Sequence, residues 1–113
     1  NSDWNIKIEK IDTYSQTLQM YNDWMSLETI AKNRELWIQT IESHILKLYD
    51  FWKIWLTDIL KFSEISKLKE IKNIIIKNRL ETDKLQPIKE LLPSNINYFD
   101  IKIAIALITK EDL

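Results

Sequence analysis

The 113-residue chain contains no glycine, no cysteine, no valine and only two prolines. Without glycine there is no phosphate-cradling loop, no dinucleotide fingerprint and no Asn-Gly or Asp-Gly hairpin turn. Without cysteine there is no disulfide framework, thiolate nucleophile or zinc finger. No uninterrupted apolar run approaches the ~18 residues of a membrane span, and no signal-peptide pattern opens the chain. The missing valines stand beside 20 isoleucines, 14 lysines and 8 asparagines. Val and Ile serve cores almost equally, so this bias points to codon supply in an A/T-rich genome rather than to protein physics. The first residue, Asn1, gives the expectation of a domain excised from a larger protein.

What is present suits a helical domain. Apolar residues make up 45% of the chain and charged residues 29%, with 16 basic against 17 acidic groups and five tryptophans. The length is that of one domain, and the aromatic and Ile content supplies ample core volume. A net charge of −1 argues against a globally basic, nucleic-acid-seeking protein. The imbalance along the chain is mild: residues 63–90 carry seven basic and five acidic groups, residues 1–62 seven and nine.

Periodicity sets the elements. Trp4, Ile8, Ile11, Leu18, Tyr21 and Met25 form one helical stripe with Ser2 or Asp3 as its cap, although Trp4, Ile6 and Ile8 also alternate as a short strand would. Asn22, Asp23 and Ser26 offer the next caps. The strongest signal is Ile38, Ile41, Ile45, Leu48, Trp52, Trp55, Ile59 and Phe62, spaced alternately by three and four. That spacing predicts one long helix with a continuous seam, and Trp52 and Trp55 in the core. Its polar arc holds Ser43, Lys47, Asp50, Lys53, Thr57 and Lys61, interrupted by Ile54. A boundary at Ser63–Ser66 precedes a helix to about residue 80 through Ile65, Leu68, Ile71 and Ile75. Pro87 suits the first turn of a short helix with Leu85, Ile88, Leu91 and Leu92 on its face. Tyr98 to Ile108 reads as a nearly all-apolar final helix capped by Ser94 or Asn97, with an Ile101, Ile103, Ile105 alternation as the strand alternative.

Chemistry-bearing constellations are sparse. His44 is the one histidine, at the edge of the long helix's apolar arc, and Glu42 two positions away points elsewhere, so His44 is read as structural and not as a ligand or base. The carboxylates are scattered on polar arcs and at helix starts. No catalytic residue, cofactor, metal or small-molecule ligand is expected.

The expectation is therefore an all-α single-domain bundle of four to five helices around one long central helix. Its expected role is protein–protein interaction, as a scaffold or adaptor that holds another protein or a second copy of itself. Trp24 and Ile54 are the residues expected on display, since aromatic and apolar anchors dominate interface energies. The alternative is a helical nucleic-acid-binding accessory domain using the basic segment Lys67, Lys69, Lys72, Lys77 and Arg79, with Lys72 and Arg79 one heptad apart on a shared face. The compartment is left open, with an intracellular one favoured.

Overall fold

A computed structural model describes residues 12–113. Among these the chain forms seven α-helices and no strand. They are α1 (Thr13–Asn22), α2 (Leu27–Arg34), α3 (Ile38–Asp50), α4 (Leu56–Ile59), α5 (Ile65–Asn78), α6 (Gln86–Glu90) and α7 (Tyr98–Thr109). The all-α class expected from periodicity is found, with more and shorter helices than the four to five anticipated. The chain divides into two compact units, Asn1–Leu48 and Tyr49–Leu113.

In the first unit α1 packs against α2. Asp12 starts α1: its carboxylate accepts from the Ser15 N–H at 2.9 Å and from the Ser15 hydroxyl at 3.1 Å. Those bonds, the backbone one first, hold its carboxyl below the usual carboxylate range. A helix starting at a capped Thr13 corrects the single stripe drawn from Trp4 to Met25. The caps Ser2 and Asp3 and the Trp4–Ile8 alternation lie outside the described residues. Ser26 caps α2 by accepting from the Thr29 N–H at 3.1 Å, as its position ahead of an apolar run implies. Leu27, Ile30, Ala31, Ile41, Ile45 and Leu48 supply the buried apolar face.

The second unit is built on α5 and α7, which pack against each other, with α6 against both. Leu68, Ile71 and Ile75 of α5 meet a core shared with Ile88, Leu92, Ile96, Ile101, Ile103, Ala104 and Leu107. Pro87 sits in the first turn of α6, where its missing N–H costs nothing. Residues 101–107 are helical: Asn97 accepts from the Asp100 N–H at 2.8 Å while Asp100 accepts from the Asn97 N–H at 2.9 Å. This reciprocal cap fixes the start of α7. Asp100, itself buried, also accepts from the Ser63 hydroxyl at 2.5 Å.

The long central helix is corrected. The row from Ile38 to Phe62 is not one rod, because α3 ends at Asp50 and Trp52 adopts φ 63°. Ile41, Ile45, Leu48 and Ile59 are buried, as the seam requires. Trp52 and Trp55, expected in the core, are each 73% exposed. Ile54, expected on display, is 4% exposed; once the helix stops, the angular position that placed Ile54 in a polar arc no longer applies. A left-handed stop is most often glycine. Among the described residues those with positive φ are Trp24, Glu35, Trp52, Arg79 and Glu111, and the chain has no glycine, so the usual mark of a helix end is missing from the sequence.

Candidate functional site

The segment α2–Glu35–Leu36–Trp37–α3 joins two helices by three residues. Glu35 lies in the left-handed region, φ 55° and ψ 42°. Its N–H bonds the Lys32 carbonyl at 3.2 Å and the next N–H, of Leu36, bonds the Ala31 carbonyl at 2.9 Å. This pair of bonds closes α2 and satisfies its last carbonyls. The chain turns, and the Trp37 carbonyl accepts from the Thr40 and Ile41 N–H groups at 3.0 and 3.3 Å to open α3.

The faces of α3 divide cleanly. Ile41, His44, Ile45 and Leu48 are buried, while Gln39, Ser43, Lys47 and Asp50 are exposed at intervals of four, four and three. That second set forms one stripe along the outside of the helix. At its N-terminal end it carries Gln39 and Ser43, two uncharged hydrogen-bonding side chains, with Thr40 half-buried beside them. Trp37, in the turn, is 80% exposed.

A polar network fixes the three helices of this unit. Arg34, at the end of α2, donates through Nη1 to the Thr13 carbonyl at 2.7 Å and to Thr17 Oγ1 at 2.6 Å, and through Nη2 to Thr13 Oγ1 at 2.8 Å. Thr17 is fully buried, and its hydroxyl lies 2.8 Å from Nδ1 of His44 on α3. Thr17 Oγ1 thus accepts from Arg34 and shares a hydrogen bond with His44 Nδ1. Tyr14 meets the ring edge-on at a centroid distance of 5.0 Å. One guanidinium thus ties α2 to α1, and one hydroxyl ties α1 to α3.

Burial, and then the Arg34 charge, push the His44 pKa below its ordinary 6.5. The folded unit therefore binds a proton less readily than the unfolded chain, so stability rises with pH through this window. Denaturant midpoints measured from pH 8 downward should hold above about 6.5 and fall below it. His44→Gln, which keeps a hydrogen-bonding amide without the titration, should flatten that fall. An equally steep fall in the variant would contradict the assignment.

The basic segment lies on α5 and its end. Lys69, Lys77 and Arg79 are exposed, and Lys67 and Lys72 are half-buried. Lys72 Nζ donates to the Leu113 carbonyl at 2.7 Å. Arg79 stands in the left-handed residue that stops α5, so Lys72 and Arg79 do not share the helical face that a one-heptad spacing implies. Trp24, at the end of α1, is 90% exposed with φ 67°. Ile54 is buried, as noted. Sequence reasoning missed Trp37, Gln39 and Ser43 as a group. Ser43 and Lys47 were visible in the polar arc and Ile38 opened the seam, but no break was recognised at Glu35, so no turn into that helix was read.

α2 is closed by a left-handed residue, three residues join it to α3, and α3 shows a polar stripe outward. The chain belongs to a helix-turn-helix domain family, whose model matches residues 13–105. No curated protein and no solved structure matches the chain. Among the described residues no helix is long and apolar enough to cross a membrane.

Proposed function

We propose that this chain is a nucleic-acid-binding module whose α3 lies in the major groove of duplex DNA. The observation that carries this is the turn at Glu35–Trp37, which delivers α3 with Gln39 and Ser43 outward at its N-terminal end. In helix-turn-helix proteins the second helix enters the groove and its first residues meet base edges. Gln can bond an adenine through two atoms, and Ser can bond either kind of edge. The family supports this reading over the adaptor role that the sequence suggested first. It is a binding role and involves no catalysis.

The electrostatic contribution is local, because a net charge of −1 gives no global attraction. Lys69, Lys77 and Arg79 are the members of the basic segment we assign to phosphates, with Lys67 and Lys72 as half-buried support. Fluorescence anisotropy of a labelled duplex at a series of salt concentrations tests the reading. Affinity should fall linearly on logarithmic axes, and Lys77→Glu with Arg79→Glu should make the slope shallower by about one per contact removed. Absence of duplex binding at low salt would overturn it.

A second reading has one observation in its favour. Trp24 is nearly fully exposed, and tryptophan is a frequent anchor of protein interfaces. A docking surface there for another protein or a second copy would show salt-insensitive association that Trp24→Ala weakens. A monomer by light scattering, with duplex affinity unchanged in Trp24→Ala, would remove the case for a second copy.

A further inference from the structure

All four described tryptophans face solvent, and two of them share a single loop. Phe51, Trp52 and Trp55 are 52%, 73% and 73% exposed between the end of α3 and the start of α4. Large exposed aromatic groups are informative where isolated apolar residues are not. Tryptophan's usual place is a largely buried one.

The loop holds these rings in place. Ile54 is buried and anchors the middle. The Asp58 carboxylate accepts from the Trp55 N–H at 2.8 Å. Lys110 enters from the end of α7, donates to the Tyr49 carbonyl at 2.5 Å, and places its ammonium 3.8 Å from the Tyr49 ring centroid and 3.6 Å from that of Trp52. A cation over an indole face at this distance is attracted by the ring's electron density. The side chain of Trp52 is thus fixed on one face and remains largely exposed.

We propose that this loop is a stacking platform for unpaired bases, so that the chain engages single-stranded nucleic acid at Trp52 and Trp55. The proposal rests on the nucleic-acid reading above and adds a second contact to it. Single-stranded sites combine aromatic faces that take bases of any sequence with cations that take phosphates. Here exposed Lys53 lies between Trp52 and Trp55 in the sequence, and the Lys110 ammonium lies against the Trp52 ring. Nearby Asp58 and Asp112 are engaged, by the Trp55 N–H and Lys61 and by the Tyr49 hydroxyl. Asp50 and Glu111 are the exposed acids at the margins, and they limit where a phosphate can run.

The composition of the surface favours bases over a partner protein. The one aliphatic side chain within the loop, Ile54, turns inward. What remains exposed in the loop is aromatic or cationic: Phe51, Trp52, Lys53 and Trp55. Because the loop is already pinned, ordering it on binding carries a small entropic cost.

The test uses the full chain with labelled oligothymidine and a blunt duplex, followed by anisotropy. Trp52→Ala with Trp55→Ala should weaken oligothymidine binding by about tenfold or more, and leave duplex affinity within about twofold. Trp52→Phe with Trp55→Phe, which keeps stacking faces, should restore most of the loss. Unchanged oligothymidine affinity in the alanine pair, or a loss that phenylalanine fails to restore, would overturn the platform. So would an alanine pair that abolishes self-association in light scattering while oligothymidine binding persists. Duplex binding without oligothymidine binding would sink the platform alone; binding to neither would sink the nucleic-acid reading with it.

Discussion

Arg34→Ala is expected to destabilise the first unit by about 2–3 kcal/mol, because hydrogen bonds to charged groups contribute more than neutral ones and a buried acceptor left unmet carries its own penalty. Three bonds disappear together, to the Thr13 carbonyl, Thr13 Oγ1 and Thr17 Oγ1. Thr13 is half-buried, so water can replace the first two. Thr17 is fully buried and cannot be reached in the same way. Arg34→Lys should recover only part of the loss, since a single ammonium cannot reproduce the two-nitrogen fork. Removal of the charge should also let the His44 pKa rise, as Arg34 is the second cause of its depression. Denaturant unfolding at pH 7 checks the first expectation, and the pH series checks the second. A loss within about 0.5 kcal/mol, the range of an ordinary surface change, would show that the network does not hold α1 to α2.

The second large effect concerns binding. Gln39→Glu with Ser43→Glu is expected to reduce duplex affinity by about a hundredfold, from two lost base-edge contacts of roughly 1–3 kcal/mol each and from carboxylates brought against the phosphates. Both side chains are exposed, so the melting temperature should stay near that of the parent chain. That separation distinguishes a recognition surface from a structural one. If affinity stays within about threefold, well under the loss of even one good base contact, α3 does not enter the groove. If stability collapses along with affinity, the outer stripe contributes to folding and the result says nothing for base reading.

Several elements were legible from residue pattern alone. The Ile65–Ile75 stripe, Pro87, the Asn97 cap and the apolar final segment each agree with the helices observed, because local preference and burial point the same way at those positions. Ser26 before Leu27 was legible for the same reason. The end of α3 was not. Ile59 remains buried after the chain has left the helix, so the spacing of three and four continues across a break that no glycine announces. Trp52 holds a left-handed conformation with a large side chain, where the three-dimensional environment overrides what the residue prefers. The candidate site was hidden by the equivalent event at Glu35. A glutamate at a left-handed helix end gives no local signal, and without that end Ser43 reads as part of an ordinary solvated face and Gln39 draws no notice. The exposure of Trp52 and Trp55 could not be inferred from hydrophobicity, since a heptad position and an exposed loop place the same residue type in opposite surroundings.

The most direct test of the account is an amide chemical-shift titration of the chain with duplex DNA. The largest shifts are predicted for the backbone amides from Trp37 to Ser43, with the indole N–H of Trp37 and the side-chain amide of Gln39 moving with them. Saturable shifts confined to other segments, with Trp37 to Ser43 unmoved, would contradict the assignment of α3 as the reading helix.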